Sequence, residues 1–328
     1  MCSSDLLKLL KENKTQYLSG EYLSTVFGVS RTAVWKVIKQ LQEEGYIIQS
    51  KTKLGYKLVE SPDNLYSYEI QEGLRTKRIG KNIYYFEEID STNDYGKIVA
   101  QKPFEDGDII IAESQKKGRG RFSREWVSPM RKGAYLSILL KPQISFEKIT
   151  RLTIITALAV CSALEDYIQK KVEIKWPNDI LINQKKICGI LTEISGEVDK
   201  INYVVIGIGI NINLDIEDFD ESLAAKASSL KIETGKIQKR KEVVQKILNI
   251  FDQYYDDFLN DENYESIIDE YRKKSYLIGK NVEVKIYNND SIRARVLDIE
   301  KNGALKVELE NGEIRDLLSG EVTLSTSF

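Results

Sequence analysis

The 328-residue sequence predicts an α+β, multidomain chain in three parts: a helical front end closed by a strand pair, a central mixed sheet backed by helices, and a terminal run of short strands. Three patterns carry this reading. The first sixty residues place apolar side chains at helical spacing and then alternate; the middle intersperses apolar strand-length runs with one long amphipathic segment; the last fifty residues show short alternating runs punctuated by Asn-Gly pairs. At about 100–200 residues per domain, the length suits two or three domains. An apolar content of 42% suffices for packed cores. The expected divisions are residues 1–62, 63–274 and 275–328, the first marked by Ser61-Pro62-Asp63-Asn64, where proline restricts the residue before it.

In the front part, Leu6, Leu7, Leu9 and Leu10 mark a first amphipathic helix. Ser19 is placed to cap a second and Gly28 to end it; Ser30 is placed to cap a third that runs to Gly45. Val34, Val37, Ile38 and Leu41 recur at i, i+3, i+4 and i+7 and are expected to face inward, leaving Ser30, Arg31, Thr32, Trp35, Lys36 and Lys39 on the outer face. Tyr46–Ser50 and Tyr56–Val59 then read as strands joined through a basic hairpin, Lys51 to Gly55. Two helices with a short glycine turn, a basic outer face and a basic hairpin form a winged helix-turn-helix, whose outer face enters the DNA major groove. Residues 1–60 hold nine Lys/Arg against six Asp/Glu, a sum of +3, while the whole chain carries −2, so the remainder is acidic. That asymmetry suits an anionic partner for the front end, operator DNA. The plainer reading is a small helical packing module with solvated lysines.

In the middle part, the strands expected are Ile83–Phe86, Asp108–Ala112, Ala134–Leu140, Val172–Trp176, Ile180–Ile182, Ile190–Ile194 and Tyr203–Ile208, with a helix over residues 147–168. Turn signals at Asn183-Gln184 and around Gly196–Lys200 favour a largely antiparallel mixed sheet over a doubly wound one. Further on, Glu242–Leu259 and Tyr264–Lys274 read as helices. Asn281–Ile286, Ile292–Ile299, Ala304–Leu309 and Ile314–Leu317 read as strands of a small barrel, with Asn302-Gly303 and Asn311-Gly312 signalling type I′ hairpins.

The chain contains no histidine. His-dependent triads, H-E-x-x-H zinc sites and His-carboxylate iron sites are thereby excluded. Cys2, Cys161 and Cys188 are odd in number and lack C-x-x-C spacing, so neither a disulfide framework nor a resident metal is expected, and a reducing cytoplasm is the simplest compartment. No apolar run approaches the ~18 residues of a membrane span.

The most informative stretch is Ser114-Gln-Lys-Lys-Gly-Arg-Gly-Arg-Phe-Ser-Arg-Glu-Trp126, with five cations before its first acid. Gly118 and Gly120 permit close backbone approach, and arginines chelate carboxylate or phosphate. The loop is neither a Walker A sequence nor a complete dinucleotide turn, and Gly207-Ile-Gly-Ile-Asn211 also lacks a third glycine, so it reads as a strand. Taken alone, the basic loop suits a small-molecule anion about as well as the other two readings together, a nucleic-acid contact or a solvated linker.

Three more segments accompany it: Asp90-Ser-Thr-Asn93, Lys175-Trp-Pro-Asn-Asp179 followed by Lys185-Lys-Ile-Cys-Gly189, and Gly207-Ile-Gly-Ile-Asn-Ile212. In this order, with Gly118-Arg-Gly-Arg121, they are similar to the signature of biotin–protein ligases. With the winged helix in front, the whole chain resembles the bifunctional biotin ligase and biotin operon repressor family. The resemblance implies that ATP, with Mg2+, and biotin give biotinyl-5′-adenylate, whose biotinyl group passes to a lysine of a biotin carboxyl carrier protein such as that of acetyl-CoA carboxylase. It also implies an SH3-like fold for the C-terminal barrel, an adenylate-bound homodimer on operator DNA, and repression of biotin synthesis or transport genes. The absence of histidine fits, because a carboxylate is already ionised at neutral pH and the difficulty lies in its approach to an anionic phosphate.

By motif correspondence the resemblance implies that Ser91, Thr92, Asn93 and Gln115 hold the polar ureido end of biotin or its neighbourhood. Arg119, Gly120 and Arg121 meet the carboxyl and phosphate region, and Lys186, then Lys175, are the cations nearest the reacting groups. Gly118, Asn178 and Asn211 belong to the nucleotide side, and Asp179 faces magnesium or the incoming lysine. Each segment also has an ordinary reading: Ser-Thr-Asn as a helix cap, Trp-Pro-Asn-Asp as a turn, Trp126 and Trp176 as packing residues. The sequence departs from the family pattern twice, with Ser123 where glycine is common and with no tryptophan after Trp176 to stack on adenine. Two alternatives remain at this level, a biotin-sensing repressor without transfer and a lipoate-type acyl ligase, the latter opposed by the G-R-G-R and K-W-P-N-D pair.

Overall fold

The computed structural model describes residues 3–197, 200–260, 263–285 and 291–325, so Cys2, the tip of the 196–200 turn and the expected strand end at Ile286 lie outside the described residues. The chain forms two compact units that meet between Asn64 and Leu65.

The first unit contains α1 (Ser3–Glu12), α2 (Gly20–Phe27), α3 (Arg31–Glu43), β1 (Ile47–Lys51) and β2 (Gly55–Glu60). Ser19 accepts the Tyr22 N–H and Ser30 the Ala33 N–H, and Gly28 closes α2 in the left-handed region. Leu6, Leu7, Leu10, Leu23, Val34, Ile38 and Leu41 build the core, with Val37 half-buried at its margin. β1 and β2 pair antiparallel as the wing. Leu18 exchanges backbone hydrogen bonds with Tyr56, and a Cβ on Gly55 would lie 2.0 Å from the Leu18 carbonyl, so the wing requires glycine there.

The second unit begins with α4 (Ser67–Glu72), β3 (Ile83–Ile89), α5 (Thr92–Val99), β4 (Asp108–Gln115), β5 (Ala134–Leu140) and α6 (Ile149–Ile168). It continues with β6 (Glu173–Lys175), β7 (Asp179–Ile182), β8 (Lys185–Glu197), β9 (Lys200–Ile210), α7 (Glu221–Ala224), α8 (Leu230–Thr234), α9 (Arg240–Leu259) and α10 (Tyr264–Lys273). The seven strands lie in the order β3-β4-β5-β9-β8-β7-β6; β3 and β4 are parallel and every other pair is antiparallel. Both faces are covered. Ile109 and Ile111 of β4 join the large core with α6 and α9, whereas Ile110 turns to the side of Val99 on α5, which is why this strand reads as a continuous apolar run. At the margin of that core, Arg240 forms a fully buried ion pair with Glu113 at 2.6 Å. Glu113 also accepts the Leu65 N–H.

A five-stranded antiparallel sheet completes the unit: β10 (Asn281–Lys285), β11 (Ser291–Ile299), β12 (Leu305–Leu309), β13 (Ile314–Leu317) and β14 (Glu321–Leu324), in the order β13-β12-β11-β10-β14. The turn type differs from expectation. Gly303 and Gly312 have positive φ but Asn302 and Asn311 do not. The N–H of Gly303 reaches Glu300 O, and that of Gly312 reaches Leu309 O. These are three-residue connections with a left-handed glycine closing the turn, not type I′ hairpins. Each asparagine accepts the N–H two residues on, Ala304 and Glu313, which stabilises the longer turn. β14 was not expected from sequence, since four residues with a single buried apolar side chain carry little pattern.

Candidate functional site

The motifs meet on one side of the seven-stranded sheet around a cavity of about 620 Å³, within the roughly 300–1,000 Å³ of small-molecule sites. Leu136, Ile190, Ile208 and Trp126 form apolar wall, and Ser91, Thr92, Asn93, Gln115, Arg119, Gly120, Arg121, Lys175, Asn178, Lys186 and Asn211 all line it. Of the expected ligand residues only Gly118 stands outside the lining.

Ser91 is both the α5 N-cap, accepting the Asp94 N–H, and a wall residue, so the capping and pocket readings hold together. Gln115 Oε1 accepts from the Thr92 N–H at 2.9 Å and the Thr92 hydroxyl at 3.1 Å, while its amide donates to Ser128. Ser137 Oγ lies 2.6 Å from Asn93 Oδ1 and 2.8 Å from Thr92 Oγ1. One hydroxyl hydrogen serves one acceptor, so with the Ser137 proton on Asn93, Thr92 turns its own proton to Ser137 or to Gln115. Asn93 Nδ2 donates to Glu193 at 2.8 Å and to Leu191 O at 3.3 Å. The Asn93 amide is therefore committed to protein, while Ser91 keeps its hydroxyl hydrogen and Gln115 its second amide hydrogen for a ligand.

The glycine motifs serve close packing of protein on protein. A Cβ on Gly207 would lie 2.3 Å from Asn93 Oδ1, and one on Gly209 would lie 2.5 Å from Trp126 Nε1. One on Gly118 would meet Trp126 O at 2.7 Å. The expectation that Gly118 and Gly120 present backbone N–H groups to a ligand needs correction: the Gly120 N–H donates to Arg124 O, and Gly118 is packed against its own loop. Gly120 does face open space, its Cβ position meeting nothing nearer than Arg124 O at 3.9 Å. At the loop tip Phe122 and Ser123 both have φ of 56°, the left-handed conformation that a glycine at 123 adopts freely.

The cations differ in what neutralises them. Arg119 is held bidentate by Asp94 and also by Glu193, and the Arg119 hydrogen bond keeps the Asp94 carboxyl below the usual range. Arg124 pairs with Glu321 of β14, and Arg121 donates to Asn178 Oδ1 and Gly320 O, so both bind the loop to the C-terminal sheet. Lys186 sits 2.7 Å from Asp179 and over the Trp126 ring at 5.2 Å. The Lys175 ammonium makes no hydrogen bond or ion pair with a described residue, and burial pushes it below the ordinary lysine value, an effect the Asp179 charge opposes. A partly buried cation without a carboxylate in contact is a ready anion site.

Sequence reasoning missed Glu193, Phe219 and β14. Phe219 is a nearly buried aromatic lining the cavity, and no motif announced it. Asn211 holds the adjoining segment, donating to Ser228 O, while the Ser228 N–H donates to Lys186 O and the Lys186 N–H to Lys226 O along the same edge. Trp176 is a packing residue, its indole N–H on Gly303 O at 2.9 Å. The indole N–H of Trp126 has no partner among the described residues. Cys161 and Cys188 are free and buried, and burial raises the Cys161 thiol to about 12.

In the first unit Ser30, Arg31, Thr32, Trp35, Lys36 and Lys39 form one exposed face of α3, flanked by exposed Lys51 and Lys53 of the wing. Among the described residues Arg31 pairs with Glu21 at 2.6 Å, a solvent-exposed pair that a phosphate can displace.

A sheet-borne pocket of this composition, joined in one chain to a winged helix, defines a ligase that also carries a DNA-binding module. Residues 85–211 match the model of the biotin/lipoate A/B protein ligase family, residues 3–57 an HTH domain, and residues 277–325 the biotin protein ligase C terminal domain. The chain belongs to the family of bifunctional biotin ligase/repressors. It is 36% identical to the bifunctional ligase/repressor BirA of Bacillus spizizenii and 35% identical to that of Bacillus subtilis, over 98% of both chains in each case. It is 28% identical to that of Escherichia coli over 95% of this chain and 94% of the relative. Its fold matches the solved biotin protein ligase from Aquifex aeolicus in complex with biotin and ATP with a TM-score of 0.65 and 31% identity, covering 75% of this chain and all of the other.

Proposed function

We propose that this protein activates biotin with ATP, transfers the biotinyl group to a lysine of a biotin carboxyl carrier protein, and represses transcription through its winged helix. The carrying observation is the cavity itself, which joins an apolar wall to a cluster of cations and holds Lys175 without a carboxylate in contact. Biotin's rings suit the apolar end near Leu136 and Ile190, with its ureido group toward Ser91 and Gln115. Its carboxylate then attacks the α-phosphorus of ATP, pyrophosphate leaves, and Lys175, Lys186 and Arg121 offset the repulsion between two anions. Lys186 exchanges Asp179 for phosphate on binding. In the second step the carrier amine attacks the acyl carbon and AMP leaves; Asp179, released by Lys186, is the nearby acceptor for the amine's proton.

Trp126 and Phe219, both cavity residues, offer aromatic surface for adenine where the family tryptophan is missing. No three metal-ligating side chains converge among the described residues, so magnesium would arrive on the ATP phosphates, with Asp179 the carboxylate beside Lys186. Homodimerisation with adenylate bound, operator recognition by α3 and a cytoplasmic location complete the reading. Among the described residues no helix is long and apolar enough to cross a membrane. The test is incubation with ATP, magnesium, labelled biotin and a carrier domain. Label on the carrier lysine is the expected result; biotin binding without label on the carrier would favour a repressor that has lost transfer.

A further inference from the structure

Glu193 lies on β8, outside the motifs and outside the cavity wall, yet α5 and the glycine–arginine loop converge on it. Its Oε2 accepts from Asn93 Nδ2 at 2.8 Å, its Oε1 pairs with Lys97 at 2.7 Å, and both oxygens lie 3.2 Å from Arg119 Nη2. Asp94 takes the other contacts of Arg119, at 2.5 and 2.6 Å, and lies 3.6 Å from Lys97. Two carboxylates thus balance two cations in a cluster of zero net charge. Burial alone would raise the Glu193 carboxyl; the hydrogen bonds from Lys97 and Asn93 and the Arg119 charge outweigh it and keep the group ionised.

The consequence concerns Arg119. A guanidinium engaged by two carboxylates adds little attraction for a third anion, so its charge is spent within the protein. What the cluster achieves is mechanical: it fixes the start of the glycine–arginine loop, whose tip at residues 122–125 is exposed, to β8 beside Asn93. We propose that Glu193 is a positioning residue for the biotin end of the reaction, holding Asn93 and Arg119 in one rigid cluster, and that Arg119 serves as the strut of the loop while Arg121, Lys175 and Lys186 meet the anions. This rests on the ligase reading above.

The experiment measures adenylate formation and amide hydrogen exchange in the full chain for wild type, Glu193→Ala and Glu193→Gln. Glu193→Ala should raise the KM for biotin about tenfold, the loss expected from one charge-assisted hydrogen bond, with kcat and the KM for ATP changed less than about twofold, because Arg121 keeps its own anchors on Asn178 and Gly320 and Lys175 and Lys186 lie outside the cluster. Exchange in residues 118–124 should accelerate by about the same factor. Glu193→Gln keeps an oxygen for Asn93 but no charge for Arg119, and should fall between. A merely structural role would lower the unfolding midpoint and weaken biotin and ATP alike; that result, or an unchanged biotin KM with unchanged exchange, overturns the proposal while leaving an active wild type and the ligase reading intact. A wild type that makes no biotinyl-adenylate overturns both.

Discussion

Replacing Gly207 with alanine tests whether the G-I-G motif exists to admit Asn93. The new Cβ would stand 2.3 Å from Asn93 Oδ1. Ordinary contact needs about an ångström more, so the amide must rotate out of its site. Doing so removes the 2.6 Å bond from Ser137 and the 2.8 Å bond to Glu193. A neutral buried hydrogen bond contributes about 1 kcal/mol and one to a charged group about 1.5–3 kcal/mol, a gross loss of about 3 kcal/mol. Gly207 has no positive φ, so alanine suits the strand and returns about 0.5–1 kcal/mol of backbone entropy. The net expectation is a destabilisation of about 2 kcal/mol, read as a fall in the denaturant midpoint, with biotin affinity reduced in parallel by calorimetry. Gly120→Ala is the control: its Cβ meets nothing within 3.9 Å, so stability should hold while ligand binding weakens because the methyl intrudes on the cavity. If Gly207→Ala is as stable as wild type, Asn93 is not rigidly held and the account of the motif is wrong.

Other expectations follow from the charges and the loop. Because burial lowers the Lys175 ammonium below the usual lysine value, its charge is lost at lower pH than for an exposed lysine. The KM for ATP should therefore begin to rise at a lower pH than deprotonation of an exposed lysine would give, and Lys175→Arg should flatten that rise; identical profiles would remove Lys175 from the phosphate site. Arg31→Ala with Lys36→Ala should weaken operator binding and reduce the salt slope by about 2, leaving ligation unchanged, as filter binding at several salt concentrations would reveal. Ser123→Gly relieves a left-handed serine, offset by a more flexible unfolded chain, and should stabilise the protein by up to about 1 kcal/mol; a clear loss of stability would contradict that backbone conformation.

Local signals were legible wherever the physics was local. Ser19, Ser30 and Gly28 occupy the caps their chemistry suits, and the burial of Val34, Ile38 and Leu41 follows from helical spacing alone. The central strands were visible because a sheet covered on both faces needs continuous apolar runs, and most of the cavity-lining polar residues because four short motifs occur in a recognisable order. The Asn-Gly turns were placed correctly but mistyped, since the same dipeptide serves a three-residue loop when glycine alone takes positive φ.

What only the tertiary structure decided is which charges cancel. In the sequence Arg119, Arg121, Lys175 and Lys186 are all candidates to meet an anion, but neutralisation acts through distances of a few ångströms between residues up to about two hundred positions apart. Folding brings Asp94 and Glu193 to Arg119, Asp179 to Lys186 and Glu321 to Arg124, while Lys175 is half-buried with no such partner among the described residues. The sequence by itself determined a histidine-free, cation-rich site on a mixed sheet behind a winged helix. Which cations face an incoming anion, and which hold the loop in place, became a property of the fold, because Coulomb energies depend on separation and burial rather than on order along the chain.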